Sequence, residues 1–393
     1  MDLADFSYTL PPELIATHPA PERDASRLMI VRRDASPFEH RGFSELPALL
    51  RAGDLLVVND SKVIPARLHV RRPGGGAAEL LLTQPLEGGV WEAIGRPARK
   101  LRPGMRLALP GEAGHAEVVA STTSTMSTTS IPIIEAHAEE TNLEGDGRED
   151  RPDAQEGPPE DAGRLRHVRF VLNNPARDLM DFLTLHGEVP LPPYILHQRK
   201  AHGEAGAESP EDRERYQTVY ARPPGSIAAP TAGLHFTPGV LEELQARGIE
   251  IRRVTLHVGI GTFEPIQIAD FEKHVMHSER YSIGEEEAAA IERARGEGRR
   301  IVAVGTTSVR ALEACFARHG RIAPISEATN IFIYPGFQFN VVGALVTNFH
   351  LPGSTLMLLV AAFAGRERIL AAYREAIERR YRFYSYGDAM LIE

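Results

Sequence analysis

The chain has 393 residues, 42% hydrophobic and 25% charged, the composition of a soluble globular protein long enough for two domains with separate cores. Its one cysteine, Cys315, excludes an internal disulfide framework and any thiolate zinc cluster. The net charge of −9 argues at first sight against a nucleic-acid surface. Eleven of the 53 acidic residues and two of the 44 basic ones lie between Glu135 and Asp161, however, and the rest of the chain is balanced.

The start, "MDLADFSYTLPPELIATHP", is acidic where an export signal is basic, so a cytoplasmic protein is expected. "DLLVVND" reads as a buried strand. "ARLHVRR", "AELLLTQ", "VWEAIGR", "MRLALP", "HAEVVAS" and "RHVRFVL" follow as short strands between Gly/Pro turns, the spacing of a small barrel or sandwich. The hydroxyl tract "STTSTMSTTS" and the acidic run after it have too few large apolar residues to offset ordering entropy. Residues 121–163 are therefore expected to form a flexible loop. The polar stretch "HQRKAHGEAGAESPEDRER" reads similarly.

Helical and strand periods then alternate. "GVLEELQARG" is a helix, "IEIRRVTLHVG" a strand, "EEEAAAIERARGEG" a helix, "RRIVAVG" a strand and "SVRALEACFARHG" a helix. "NIFIYPG" and "NVVGALVTN" read as further strands. "STLMLLVAAFAG" has the length of a buried helix and is too short for a bilayer. The expected architecture is a mixed α/β main domain built from both chain ends, residues 1–66 and 173–393. A smaller all-β barrel, residues 67–172, is inserted in it.

Several turns at strand ends carry hydroxyls, glycines or a histidine: "VVNDSKVIPARL", "APTAGLHFT", "LHVGIGTFEPI", "VGTTSVRALEA" and "VTNFHLPGST". Ligands of open α/β sheets gather at such carboxyl ends. In "APTAGLHFT", Pro230 restricts the entry, Gly233 is read as permitting an unusual backbone angle, and the corner aims His235. Thr306, Thr307 or Ser308 would cap the helix that follows Gly305, and Arg310 adds a fixed cation. This is either a well-capped helix or an anion site. A Walker loop and the dinucleotide fingerprint are both absent. His274, His277 and Glu279 have a metal-like spacing but lack the long helix of zinc hydrolases, so substrate contact or a polar network is the expectation. In "YREAIERRYRFYSYGDAMLIE", arginines interleave with aromatics. The stretch is either an RNA-stacking surface or a last helix whose rings fill the core. Asp388 is a candidate acid or base.

"NDSKVIPARL", "GEVPLPPYI", "RYQTVYA", "GSIAAPTAGLHFT", "LHVGIGTFEPI", "HVMHSERY", "GTTSVRALE", "TNIFIYPGF", "LVTNFHLPGSTLMLLVAAFAG" and "YRFYSYGDAMLI" together resemble, in order and over nearly the whole chain, the S-adenosylmethionine:tRNA ribosyltransferase-isomerases of queuosine biosynthesis. The insertions near 121–163 and 197–213 depart from the family, which is usually shorter there. The resemblance implies transfer and isomerisation of the ribosyl part of S-adenosylmethionine onto 7-aminomethyl-7-deazaguanine at the tRNA wobble position. Epoxyqueuosine forms, and adenine and methionine leave. It implies no metal and no cofactor beyond S-adenosylmethionine as co-substrate, and a monomer is the default.

On this resemblance His235 is expected as base or acid and His350 as its counterpart, with Glu279 or Asp388 as a charged orienter. Asn59, Asp60, Arg67, Tyr194, Thr231, Gly233, His257, Gly259, Gly261, Thr262, His277, Thr306, Thr307, Ser308, Arg310 and Asn348 are expected to contact substrate. Arg379, Arg380, Arg382 and Tyr384 are expected to contact tRNA. The competing readings are a methyltransferase, for which the glycine-rich loop is missing, and a non-catalytic RNA-binding protein.

Overall fold

The structure is a computed structural model and describes residues 2–34, 36–122, 165–174, 176, 178–204, 208–259 and 271–393. By internal contacts the chain divides into Met1–Arg67 with Met180–Glu393, and Leu68–Leu179. The first unit begins with β1 (Arg27–Val31), β2 (Glu39–Gly42), α1 (Leu46–Leu49), β3 (Leu55–Asn59) and β4 (Lys62–Val63). The second carries β5 (Arg67–Arg71), β6 (Ala77–Pro85), β7 (Val90–Arg96), β8 (Arg106–Ala108), β9 (Gly114–Thr122) and β10 (Leu165–Leu172). The chain continues through α2 (Leu179–His186), α3 (Pro193–Ala201), α4 (Pro210–Arg215), β11 (Pro224–Ser226), α5 (Pro238–Ala246), β12 (Glu250–Leu256), β13 (Glu279–Ile283) and α6 (Glu285–Gly296). It ends with β14 (Ile301–Val304), α7 (Thr306–His319), β15 (Ile325–Thr329), β16 (Ala344–Asn348), α8 (Thr355–Ala364), α9 (Arg366–Glu378) and β17 (Ala389–Ile392).

The main sheet has the order β15-β13-β12-β3-β14-β16-β17-β1-β2. β12, β3, β14 and β16 run parallel at its centre. Central parallel strands are covered on both faces, and β3 up to Val58 and all of β14 are accordingly apolar and buried. Leu55 and Val57 of β3 face one core with Val309 and Leu312 of α7. Leu56 and Val58 face the other with Val240 and Leu244 of α5. The alternation stops at Asn59, where β3 reaches its carboxyl end. C-terminal β17 pairs in parallel with β1 and antiparallel with β16, so both chain ends build this one sheet.

The six strands of the second unit close into a barrel in the order β10-β7-β6-β5-β8-β9. Period-2 patterning fills it: Leu80 and Leu82 of β6 are fully buried while their neighbours are not. Thr122 of β9 pairs with Leu165 of β10. The segment between them leaves and re-enters at one point, which lets a long insertion be carried at small cost to the barrel. The acidic loop expected there lies outside the described residues, as do 205–207 of the shorter insertion.

Two sequence expectations need correcting. "NIFIYPG" is not a strand. The strand is the polar segment just before it, β15, which pairs with β13 at the edge of the sheet. Ile331–Tyr334 instead enters an aromatic cluster with Phe271, where Phe271 meets Tyr334 edge-on at 5.6 Å. The polar stretch His197–Arg215 is also more ordered than its composition implies. Arg199 of α3 and Asp212 of α4 form a buried two-pronged ion pair (2.6 and 2.9 Å). Asp212 further accepts from Ser209 and from the Tyr386 hydroxyl. These donors outweigh burial and hold its carboxyl down at about 2. Among the described residues no helix is long and apolar enough to cross a membrane.

Candidate active site

The parallel strands β3, β12, β14 and β16 end on one side of the sheet, and the turns after them carry the hydroxyls and histidines singled out above. A cleft opens there, with Thr231, Gly305, Thr306, Thr307, Thr347, Asn348 and His350 among its lining residues. It lies where ligands of open α/β sheets are found, beyond the carboxyl ends of the strands.

Gly305 links β14 to α7 at φ +83°, a conformation that disfavours any side chain. Gly305 is itself the N-cap, and no side chain caps α7. The expected hydroxyl cap is therefore absent, because the hydroxyls have other partners. Ser308 donates to the Val304 carbonyl at 2.7 Å, and Thr307 accepts from the Asn59 amide at 3.1 Å. The first-turn amides of α7, two of whose residues line the cleft, keep their capacity for an anion. One turn on, Arg310 is buried, and its guanidinium pairs with Glu279. Glu279 also accepts from the Gly259 amide at 2.9 Å. Arg310 Nη2 is buried and has no partner among the described residues.

His235 and His350 both serve this end of the sheet, but differently. Asn348 Nδ2 faces the carbonyls of Tyr384 (3.1 Å) and Asp388 (3.5 Å) and His235 Nε2 (3.1 Å). Two carbonyls on one side fix the amide's orientation, since its oxygen would repel them. His235 Nε2 must therefore accept, and its Nδ1 carries the proton that goes to Ser26 Oγ at 2.7 Å. Asn348 Oδ1 is left buried with no partner among the described residues, a directed acceptor on a residue that lines the cleft. His350 Nε2 is 2.8 Å from Thr347 Oγ1, a hydroxyl able to give or to take. Its backbone is pinned by Tyr373 and Tyr8. Burial pushes both imidazoles down to about 3, helped at His235 by Arg382 and Arg23. Both rings are therefore neutral at pH 7.

The corner that carries His235 is a short 3-10 turn, Thr231–His235. Gly233 is there for space and not for an unusual angle: it is absent from the positive-φ glycines. A Cβ on it would sit 2.2 Å from the Tyr220 hydroxyl.

The other expected residues fall into three groups. Asn59 is fully engaged, bonding Leu256, Thr307 and Ser61, and it ties β3 to β12 and α7. Asp60 accepts from Thr255 at 2.7 Å, and burial raises its carboxyl. His257 meets Ser61 at 2.8 Å and is lowered by burial. Arg67 reaches the Leu191 carbonyl at 3.3 Å. Tyr194 takes the Ser385 amide at 3.0 Å, and burial lifts its hydroxyl to about 12. His277 is half-buried just ahead of β13. Gly261 and Thr262 lie outside the described residues.

Asp388 is saturated by the Arg27 and Arg382 amides and the Arg27 guanidinium. That is the arrangement of an orienting anchor. In the C-terminal stretch the rings are core: Tyr373, Tyr381, Phe383, Tyr384 and Tyr386 are all buried, so Tyr384 offers no exposed face for stacking. Arg379 and Arg380 are exposed, and Arg382 is bound to the His18 carbonyl. Sequence reasoning missed Ser26, Arg23 and Thr347. Ser26 and Arg23 stand in "ERDASRLMI", which looks like an ordinary strand entry. Among the described residues no three His, Cys, Asp or Glu side chains gather as a ligand set for a metal.

The family described as "Queuosine biosynthesis protein" matches residues 3–392. A relative from Symbiobacterium thermophilum, named S-adenosylmethionine:tRNA ribosyltransferase-isomerase, is 46% identical over the full length of both chains. One of the same name from Thermus thermophilus is 48% identical over 99% of each. A solved structure named S-adenosylmethionine tRNA ribosyltransferase, from Thermotoga maritima, shares 36% identity. It has a TM-score of 0.51 and covers 99% of this chain and all of its own.

Proposed function

The chain belongs to the queuosine biosynthesis protein family, and from that premise we propose how its strand-end cleft works. The protein is an enzyme that transfers and isomerises the ribosyl moiety of S-adenosylmethionine onto 7-aminomethyl-7-deazaguanine in tRNA, giving epoxyqueuosine. Three groups support placing S-adenosylmethionine in the cleft. The uncapped first turn of α7 suits the methionine carboxylate, and the Arg310 guanidinium one turn on adds positive charge behind it. The unpartnered Asn348 Oδ1 suits an N–H donor. Thr347 and His350 line the same cleft as Asn348 and the first turn of α7.

The sulfonium acidifies the ribose C5′ hydrogens, so a base is needed first, and adenine then needs a proton to leave. His350 is neutral and touches a hydroxyl that can donate or accept. It takes the first proton and returns it to the departing adenine. His235, whose accepting nitrogen is already engaged by Asn348, positions that amide. Glu279 holds Arg310, and Asp388 holds the carbonyls that Asn348 reads. No metal is assigned a role. We place the protein in the cytoplasm as a monomer, where its buried lone thiol Cys315 is at home.

The observation that carries this reading is the convergence of Thr231, Gly305–Thr307 and Thr347–His350, from three separate turns, on one cleft. The test is a product assay with purified protein, S-adenosylmethionine and an anticodon stem-loop bearing 7-aminomethyl-7-deazaguanine. Adenine and methionine release with a ribosyl-derived mass gain on the RNA is expected. S-adenosylhomocysteine would show a methyltransferase instead, and intact S-adenosylmethionine with bound RNA a non-catalytic binder.

A further inference from the structure

A second, half-open cavity is lined by Arg23, Ser26, Arg215, His235 and Tyr386 among others. The His235 ring joins it to the first cleft. Nδ1 bonds Ser26, which lines the cavity, and Nε2 bonds Asn348, which lines the cleft. The His235–Asn348 hydrogen bond therefore links a residue of the cavity wall to a residue of the cleft wall.

The cavity's charge is out of balance. Arg23 is held by the carbonyls of Glu214 (2.8 Å), Leu234 (3.2 Å) and Arg215 (3.5 Å), and no ion pair involves it among the described residues. Arg215 is held by the carbonyls of Ala20 (2.6 Å) and Pro21 (2.9 Å). Its one carboxylate partner, Glu211 at 3.4 Å, is mostly exposed. Arg215 Nε is buried with no partner among the described residues. Carbonyls fix the two half-buried guanidinium forks but do not neutralise them, which leaves both able to take an anion. Burial and Arg215 together hold Arg23 below its usual value, the mark of crowded positive charge.

Further arginines lie outward, of which Arg27 pairs with Asp388 and Arg379 with Glu375. Arg382 binds the His18 carbonyl beside Pro19, which is also in the cavity wall. Arg27 binds the carbonyls of Arg379 and Arg380, both exposed. Asp388, next to the lining residue Gly387, takes up Arg27 and the Arg382 amide. An arginine-lined track thus leads from the exposed end of α9 to the Ser26 side of His235.

We propose that this cavity, on the Ser26 side of His235, seats a backbone phosphate of the tRNA strand next to the modified nucleotide. The inference rests on the ribosyl-transfer reading only in taking tRNA as the substrate. A phosphodiester fits better than a free anion because Arg382 and the exposed Arg380 place positive charge beyond the cavity, as a polyanion requires.

The test uses the intact enzyme and anticodon stem-loops carrying a neutral methylphosphonate at either phosphate flanking the modified nucleotide. At one of the two positions, binding should weaken roughly tenfold, the loss of one charge-assisted contact. Arg23→Gln should weaken the native stem-loop roughly tenfold and show no further loss with that methylphosphonate. Its affinity for S-adenosylmethionine should stay within about twofold. Inorganic phosphate should compete with RNA and not with S-adenosylmethionine. Native binding by both methylphosphonate RNAs would overturn the proposal even if Arg23→Gln fails to fold. Multiplying losses in the variant, or competition of phosphate with S-adenosylmethionine alone, would overturn it too. Adenine release by the unmodified enzyme is read in the same samples. Its absence defeats the reaction reading, whereas its presence without a methylphosphonate effect defeats only the cavity.

Discussion

The corner at Pro230–Phe236 and the turn at Asn348–Ser354 each deliver one buried, neutral histidine to the carboxyl end of the sheet, yet they prepare it differently. His235 is locked on both ring nitrogens by groups whose donor and acceptor roles are fixed. His350 is held through its backbone, and its ring meets a hydroxyl that accepts either tautomer. The same residue type at the same depth is thus held in one tautomer in one place and left able to take either in the other. What differs is the partner: an amide oriented by carbonyls admits one tautomer, a rotatable hydroxyl admits both.

The most severe way to break this contrast is Asn348→Asp. It sets a carboxylate against the Tyr384 and Asp388 carbonyls and an accepting imidazole. Adenine release should fall about 10³-fold and stability by about 3 kcal/mol, read by product assay and urea unfolding. More than a tenth of normal activity would show that the amide's orientation does not matter.

Acid tests both rings at once. Above pH 6.5 neither state protonates them, so they add no pH dependence. Between 6.5 and about 3 the unfolded chain takes up protons that the folded one refuses. Stability should therefore fall as pH falls through that window, by about 1.4 kcal/mol per unit for each ring. A His350→Gln variant should lose about half of that slope in urea melts from pH 6 to 5; an unchanged slope would count against a buried neutral His350.

His350→Gln also separates the roles kinetically. An expected drop of about 100-fold in kcat, with KM for S-adenosylmethionine within about twofold, would mark a proton carrier; a rise in KM alone would mark a binding group. Gly233→Ala should cost about 2 kcal/mol in urea unfolding through its clash with Tyr220, and a neutral result would mean that the Tyr220 ring yields. The smallest effect is expected from the double change Arg379→Gln, Arg380→Gln. Stem-loop affinity should fall a few-fold, and its salt dependence should flatten.

Much of this was legible in the chain. The barrel strands show their period of two, and β3, β14 and α7 announce themselves by apolar runs closed by Gly305 or Asn59. The strand-end turns that supply Thr306, Thr347 and His350 stand out because hydroxyls and glycines interrupt those runs. "NIFIYPG" misled because an aromatic-rich run satisfies a strand pattern and a ring cluster equally well, and only the partner rings decide. Composition likewise could not show that Arg199 and Asp212, thirteen residues apart, would bury each other's charge.

The sequence by itself determined the elements, the both-ends architecture and the family, because hydrophobic period, turn residues and motif order are local properties of a chain. Tertiary structure alone decided which hydroxyl faces which imidazole, that Gly233 makes room for a tyrosine, that the C-terminal rings are core, and that Arg23 and Arg215 share a cavity. Those are contacts between residues up to hundreds of positions apart. Their energies depend on burial and on the exact donor beside each acceptor, and neither exists until the chain has closed on itself.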